Sequence, residues 1–468
     1  MDDHTSQGAR WLPRALFVAG TAVATVTVLY LVMLWRMAFV DWTRGRGWLL
    51  LLTPALGLLA YVLLARARGA ARGALVWCLA VTVAMAALWP AWQAYERMRG
   101  PQAYVWTWWQ AEKPESARPV GAWMRPSSGL VRVRADGLKL YDGGGRSAGG
   151  LGAGGEVTFC AVSRTIPHDI GLVAAARTPA GCGARVLAVD LKNGEKLWAK
   201  DLPVAPGRDG DETPVVAAVG DTAVAVTEGA LLGLDLRTGG ERWRVPVPAG
   251  CRVRALDGAA DRVLYVEDCA GSGSARLIAL DARTGTQAWQ SPLRTAGPSA
   301  QVRMLSAQPI VLRAGGSVLL FDDSGRERGA VPVAGPQEDL TEGPAPVVSG
   351  DLLIAPVKGK VPGISAYSVL DGKRVWHAAL DGATVLGLVQ SRGPGGVDVV
   401  TSTAARTHLW HLDGTTGRAK AEPTILREVP LGRRFEIYPQ GPEGYTFVNL
   451  DPAGELPSYV VLMRVRGW

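Results

Sequence analysis

One acidic cluster has residue types that could bind calcium. Asp209, Asp211 and Glu212 begin like the Asp-x-Asp of a calcium-binding loop. Such a loop needs a Gly at its sixth position and a Glu at its twelfth, where this chain has Pro214 and Gly220. The cluster therefore does not predict a calcium site, and we interpret it as solvated charge.

The other chemical candidates also lack the spacing that their chemistry needs. His408 and His411 are three residues apart, so on a strand they face opposite sides, which is poor geometry for a metal. The glycine-rich runs at 143–145 and 149–155 lack the strand-to-helix setting of a phosphate-binding loop. We expect no catalytic, cofactor-binding or metal-binding residue in this chain.

Four of the five cysteines predict disulfides. Cys160 and Cys251 stand equally far ahead of a repeated aspartate described below, and Cys182 and Cys269 follow them at similar distances. Four cysteines allow three connectivities, of which the repetition favours Cys160–Cys182 with Cys251–Cys269. Four buried thiols are the alternative. Cys78 lies in an apolar run and is interpreted as a small apolar residue.

A motif of Asp, Gly and Trp recurs about every 45 residues in the C-terminal part of the chain. Three copies share one frame: Asp190, Gly194 and Trp198; Asp235, Gly239 and Trp243; Asp281, Gly285 and Trp289. Weaker copies follow at Asp322 and Gly325, at Gly372 and Trp376 with Ser368 in place of Asp, and at Asp413 and Gly417. A short relative begins at Tyr141.

The chemistry of this motif is structural. An Asp at the end of a strand accepts bonds from the N–H groups of the following turn, Gly supplies a positive φ, and Trp fills space between neighbouring units. A catalytic group is needed once, whereas a packing group is needed in every unit. We therefore interpret the repeated residues as packing residues.

The pattern A-x-D-x-x-T-G-x-x-x-W resembles the PQQ-like repeats of quinoprotein dehydrogenases and BamB-like propellers. This resemblance implies an all-β propeller over residues 129–468, with four short strands in each blade. We expect about seven blades, the hairpin at 130–141 joining the C-terminal strands in one composite blade. Two separate terminal blades would make eight.

The resemblance also implies an enzymatic alternative, a PQQ-dependent oxidoreductase that passes electrons to membrane quinone and binds PQQ and calcium. Alcohol dehydrogenases of that family typically carry a disulfide between adjacent cysteines, and this sequence has no Cys-Cys pair. Its blades are also close to minimal length, without the insertions that build the family's active site. We therefore expect neither cofactor.

The N-terminal part of the chain contains three charge-free apolar runs, at about 15–35, 47–65 and 73–95. Each run has about the 20 residues that a helix needs to cross a bilayer. The sequence thus predicts a tail at 1–14, three transmembrane helices within 15–98 and a Trp- and Pro-rich connector at 99–128. No ionisable residue interrupts a run, which argues against transport.

The net charge of +8 lies mostly in the N-terminal part. Residues 1–100 hold ten Arg, no Lys and four acidic residues, which leaves 40 basic and 38 acidic residues in the remainder. A nearly neutral domain does not have the basic surface of a nucleic-acid-binding protein.

Together these patterns predict a multi-pass plasma-membrane protein with an extracytoplasmic, non-catalytic propeller. Its expected partner is a protein or an envelope component, and nucleic acid is not expected. A sensory ectodomain is a further alternative.

Overall fold

The computed structural model describes most of the C-terminal part of the chain and two segments of the N-terminal part. The described residues are 5–40, 52–66, 81–82, 102–105, 117–125, 129–142, 147–154, 157–177, 181–203, 215–269, 275–293, 302–333, 338–339, 344–359, 361–380, 383–391, 395–403, 407–421, 423–426, 431–432, 435–440, 444–450 and 460–465. The chain divides into two compact units, Met1–Gly100 and Pro101–Trp468.

The N-terminal unit contains two helices, α1 (Thr5–Val40) and α2 (Leu52–Arg66). In α1 the 20 residues Pro13–Val32 have a mean hydropathy of 2.1 and are long and apolar enough to cross a membrane. The 15 residues of α2 reach only about 22 Å at 1.5 Å per residue, short of about 30 Å of hydrocarbon. Gly20 lets the helices approach closely, since a Cβ there would lie 2.9 Å from Leu64.

The prediction of three transmembrane helices was wrong. Among the described residues only α1 could span a membrane, and α2 is too short. The third run, at 73–95, lies outside the described residues except for Val81 and Thr82. A count of charge-free residues does not give the bounds of a helix: α2 is described from Leu52 to Arg66, with Pro54 in its first turn, where proline is favoured.

The described residues of the C-terminal unit form five four-stranded sheets, one five-stranded sheet and one eight-stranded sheet, which we divide into two halves of four strands each. This division gives eight units, which we call blades 1 to 8. The first strand, β1 (Gln102–Val105), belongs to blade 8. Blade 1 has β2 (Pro119–Met124), β3 (Leu130–Arg134), β4 (Gly137–Tyr141) and β5 (Ser147–Gly152); blade 2 has β6 (Val157–Val162), β7 (Ile170–Arg177), β8 (Arg185–Asp190) and β9 (Lys196–Asp201). Blade 3 has β10 (Val216–Val219), β11 (Thr222–Thr227), β12 (Ala230–Asp235) and β13 (Glu241–Pro246); blade 4 has β14 (Cys251–Ala259), β15 (Arg262–Cys269), β16 (Ala275–Asp281) and β17 (Gln287–Leu293).

The remaining blades continue in chain order. Blade 5 has β18 (Val302–Ala307), β19 (Ile310–Ala314), β20 (Ser317–Phe321) and β21 (Glu327–Pro332). Blade 6 has β22 (Glu338–Asp339) and β23 (Val347–Ser349), which both pair with β24 (Leu352–Gly359), then β25 (Gly363–Ser368) and β26 (Arg374–Ala379). Blade 7 has β27 (Thr384–Gln390), β28 (Gly396–Ser402), β29 (Thr407–Asp413) and β30 (Thr424–Leu426); blade 8 has β31 (Phe435–Gln440), β32 (Gly444–Asn449), β33 (Val460–Val465) and β1.

The fourth strand of a blade is more exposed than the second and third strands, as blades 2 and 3 show. In blade 3 every residue of β10 and β11 is buried, whereas β13 buries only Trp243. The inner strands are covered on both faces by neighbouring blades, so their sequences are continuous apolar runs. In the outer strand, buried side chains alternate with side chains that face solvent. The repeat therefore encodes a sheet whose inner strands are buried and whose outer strand is partly exposed to solvent.

The blades close into a ring through eight apolar clusters, one between each pair of neighbours. Between blades 8 and 1, Val448 packs with Leu130 and Tyr141, and the Tyr438 hydroxyl donates to the Ala122 carbonyl at 3.0 Å. At the other side of blade 8, β1 pairs antiparallel with β33 and parallel with β30. The first and last described strands of the C-terminal unit therefore lie side by side in one sheet.

Of the two blade counts expected, the structure has eight, the alternative in which the two ends form separate blades, and not seven. The hairpin at 130–141 does not join the C-terminal strands. It pairs with Pro119–Met124 and Ser147–Gly152 to form blade 1. Neither partner strand was predicted, because one lies in a Trp- and Pro-rich segment and the other in a glycine-rich run. The strand that completes the C-terminal blade is β1, from further upstream.

Candidate functional site

The turn between the third and fourth strands of a blade, which we call the motif turn, is held by its aspartate. In blade 3 one oxygen of Asp235 accepts the backbone N–H groups of Arg237 and Thr238, at 3.0 and 2.8 Å, and the Thr238 hydroxyl at 2.9 Å. Gly239 closes the turn with a φ of +72°. Asp281 and Asp413 make the same set of three bonds in blades 4 and 7.

These bonds stabilise the ionised carboxylates. Burial alone would raise the pKa of Asp235, but hydrogen bonds from Arg242 and Thr238 outweigh it and lower the pKa to about 2. The Thr284 hydroxyl and backbone lower the pKa of Asp281, and Thr416 does the same for Asp413. These three aspartates are therefore ionised hydrogen-bond acceptors, whereas a general acid or base needs a pKa near the working pH.

The motif tryptophan ties its blade to the next one. The Trp243 indole N–H donates to the Ala282 carbonyl of blade 4 at 2.8 Å. Its ring lies over Gly285, where a Cβ would come within 2.7 Å. The same bond to the next motif turn recurs from Trp198 to Leu236, from Trp289 to Asp323 and from Trp376 to Gly414. Gly239, Gly325 and Gly417 lie beneath those three rings.

Where the motif tryptophan is missing, other atoms of the preceding blade lie against the motif glycine. Gly194 of blade 2 lies against Leu140 of blade 1, and Gly372 of blade 6 lies against the backbone of Ala330 in blade 5. Blade 1 has a different tie, since the Trp123 indole donates to the Ser163 carbonyl of blade 2 at 2.7 Å. Sequence reasoning placed Trp123 in a connector and missed this contact.

Both expected disulfides are present, one in blade 2 and one in blade 4. Cys160 and Cys182 have Cα atoms 5.8 Å apart, and Cys251 pairs with Cys269 directly across β14 and β15. Cys182 precedes the third strand of its blade, while Cys251 begins a first strand and Cys269 ends a second. The bridges thus lie toward the end of the ring opposite the motif turns, and we name the two ends the disulfide end and the motif end.

At the motif end a loop of blade 2 reaches across the inner strands. The Arg164 guanidinium donates to Asp257 of blade 4 at 2.9 Å and to the Met304 and Leu305 carbonyls of blade 5 at 3.2 and 3.0 Å. The Thr165 hydroxyl donates to the Ala218 carbonyl of blade 3. Because inner strands surround the axis, a side chain that joins blade 2 to blade 5 lies over the central opening.

A buried polar group joins blades 7 and 8. The fully buried carboxylate of Asp398 accepts the Tyr445 hydroxyl at 2.5 Å and lies 2.8 Å from His411 Nδ1. The ring of His411 stacks on that of Tyr445, with centroids 6.2 Å apart. Tyr445 comes from blade 8, so this group fastens the junction between these two blades. A buried polar side chain needs hydrogen-bond partners, and Tyr445 and His411 provide them for Asp398.

The sequence candidates do not converge on one site. Each Asp, Gly and Trp set lies in its own motif turn and engages its own blade and the next. His411 pairs with Asp398 across β28 and β29. The acidic cluster of Asp209, Asp211 and Glu212 lies outside the described residues. The repeated residues thus hold the ring together, one blade at a time.

The fold and the motif turns define the class of protein. Four-stranded blades in a closed ring, tied by an Asp–Gly turn beneath a neighbour's tryptophan, are those of a PQQ-like repeat β-propeller. A family model described as outer membrane protein assembly factor BamB matches residues 182–420, just over half of the chain. The chain belongs to this family.

Several solved structures are similar to this chain at low sequence identity. BamB from Moraxella catarrhalis is 14% identical, with a TM-score of 0.45 over 74% of this chain and 99% of that one. The computationally designed Ika8 protein is 12% identical, with a TM-score of 0.50 over 76% and 98%. The C-terminal WD40 domain of Sif2 is 9% identical, with a TM-score of 0.47 over 76% and 98%. No curated protein matches the sequence.

Proposed function

We propose that this protein is a non-catalytic binding or scaffolding propeller that works outside the cytoplasm. The observation that carries the proposal is the use made of the motif's polar groups. Asp235 is saturated by its own turn, and Trp243 donates to the next blade. Because the repeated groups serve packing, the ring is a rigid platform. Its two ends are the surfaces that propellers offer to partners.

The disulfides support an extracytoplasmic location. Disulfides persist in oxidising compartments and are rare in the cytosol. Two bridges close within single blades here. In this proposal α1 crosses or enters the membrane as an anchor or as a signal sequence, and the propeller lies on the far side. A single apolar helix of 20 residues is long enough for either role.

We further propose that the partner is a protein or an envelope component and that it binds one end of the ring. The relative described as an outer membrane protein assembly factor belongs to an envelope process, which supports this choice of partner. Outside the N-terminal unit the basic and acidic residues nearly balance. A weak net field favours recognition through shape and local contacts over long-range steering by charge.

Photo-crosslinking in intact cells tests the proposal. Blade 3 offers exposed positions at both ends, Glu228 at the disulfide end and Arg237 at the motif end, and Arg244 on its outer strand serves as a control. A photoreactive residue at one end should capture a defined envelope protein that the other end and the control do not capture. Equal capture from all three positions, or capture of cytosolic proteins alone, would contradict the proposal.

A further inference from the structure

The disulfide of blade 4 lies beside a buried carboxylate. Cys251 and Cys269 face each other at the ends of β14 and β15. Glu267 is two residues before Cys269 on the same strand, so its side chain lies on the same face. The Cys269 sulfur is 3.8 Å from Glu267 Oε1, and the donor atoms of the three residues all lie within 4.8 Å of one another.

The carboxylate of Glu267 is buried and pairs with an arginine. The residue is only 2% exposed, and its carboxylate pairs at 2.5 Å with Arg276, directly opposite on β16. The Arg276 side chain is 39% exposed and so extends from the buried carboxylate toward solvent. Arg276 contacts the same oxygen, Oε1, that lies 3.8 Å from the Cys269 sulfur. Each carboxylate oxygen has two lone pairs, so a cation beside the sulfurs would bind the remaining lone pair of Oε1 or the second oxygen, Oε2.

The second disulfide provides a contrast. The Cys160 sulfur lies 3.3 Å from the Ala174 carbonyl. Within the described residues, the group in blade 4 is the only one in which three potential ligands from Cys, His, Asp and Glu have donor atoms within 4.8 Å of one another. The two bridges therefore differ in chemistry, although they occupy similar places in their blades.

The geometry points to a Zn²⁺ site that forms in blade 4 when the Cys251–Cys269 bond is reduced. A dithiol reductant would supply two electrons, breaking the S–S bond and becoming a disulfide itself, and each cysteine sulfur would take up a proton. Zn²⁺ then displaces these two protons and binds both thiolates and one oxygen of Glu267, with water as the fourth ligand of a tetrahedral site.

The local charges favour this exchange. Two thiolates and one carboxylate carry three negative charges, which Zn²⁺ and the Arg276 guanidinium balance. Arg276 also takes the place of the outer partner that normally hydrogen-bonds and orients a ligating carboxylate. Thiolate and carboxylate together suit Zn²⁺ better than Ca²⁺ or Mg²⁺, which prefer oxygen ligands alone.

Zinc titration of the full chain tests this site. The variant C160S/C182S removes the other pair and leaves blade 4 intact. After reduction by a phosphine and removal of the reductant, it should bind one Zn²⁺ per chain in competition with a chromophoric chelator, whereas the oxidised form should not. Replacing Zn²⁺ with Co²⁺ should give the thiolate-to-metal absorption of a tetrahedral site.

Two further variants in the same background identify the ligands. C251S/C269S should abolish binding, and Glu267→Gln, which keeps the shape but removes the carboxylate, should weaken it at least about tenfold. Circular dichroism of each reduced variant reports whether the sheets persist. Binding that is equal in the oxidised form, that Glu267→Gln leaves unchanged, or that appears only when the sheet signal is lost would overturn the inference.

Discussion

Replacing Gly285 with Ala tests whether the contact between a motif tryptophan and the next blade's glycine stabilises the ring. Gly285 has a φ of +70°, and a Cβ there would lie 2.7 Å from the Trp243 ring. Gly229 has a φ of +75° with no atom within 4 Å of an added Cβ. The two glycines thus share a backbone conformation and differ in what lies above them.

The expected magnitudes follow from this difference. An alanine in the left-handed region costs about 1–2 kcal/mol at either position. At Gly285 the added methyl also displaces the Trp243 ring, and such overpacking costs about 1–3 kcal/mol more. We therefore expect Gly285→Ala to lower the free energy of unfolding by about 2–5 kcal/mol and Gly229→Ala by about 1–2 kcal/mol.

Guanidinium denaturation of the full chain with intact disulfides measures both variants, and hydrogen exchange of the turn at 282–286 locates the effect. Exchange in that turn should accelerate in Gly285→Ala, because a displaced Trp243 no longer donates to Ala282. Effects of alanine on the unfolded chain are shared by both variants and cancel in the comparison. Equal losses of stability would refute the role assigned to the Trp–Gly contact.

Two further perturbations test the motif aspartates and the ring closure. Asp235 has a folded pKa of about 2, against an ordinary value of 3.8. Its ionised form therefore contributes up to about 2 kcal/mol to the free energy of unfolding. This contribution is present in full above about pH 4 and is lost as the pH falls toward about 2. Asp235→Asn should therefore lower the free energy of unfolding, measured in urea, at pH 7 and change it little near pH 2. Ser368→Ala, at the equivalent place in blade 6, should show a smaller pH dependence, because the pKa of Asp371 is lowered by Lys373 more than by the hydrogen bond from Ser368. Parallel profiles for the two variants would contradict this. Deleting residues 1–106 removes β1 and should accelerate hydrogen exchange in β33 and β30. Deleting residues 1–100 keeps β1 and should leave that exchange unchanged. Identical exchange in the two truncated proteins would show that β1 does not close the ring.

The blades could be predicted because their signal is local and repeated. The Asp, Gly and Trp of a motif lie within nine residues of each other, and the turn that they build needs no distant partner except the neighbouring blade. The disulfides followed from the same periodicity, since two equivalent pairs occur in two blades. Repetition thus carried information that no single blade would have carried.

The ring closure could not be predicted in the same way, because it depends on pairings between distant segments. β1 pairs with β33 from the other end of the chain, and neither strand carries the motif. The group of Asp398, His411 and Tyr445 likewise joins three strands whose register is set by the fold. Counting charge-free residues failed for the membrane helices because it does not give the bounds of a helix, as α2 shows.

The place of β1 in blade 8 has a consequence for synthesis. β1 leaves the ribosome before every other described strand, and its antiparallel partner β33 begins 355 positions later, counted from Val105 to Val460. At about 5–20 residues per second, β1 waits roughly 20 to 70 s for that partner. During this interval the nascent chain holds a strand with an open edge, and such edges are where chains pair wrongly. A helper that covers β1 until the last blade emerges would protect the protein when it is most exposed to misassembly.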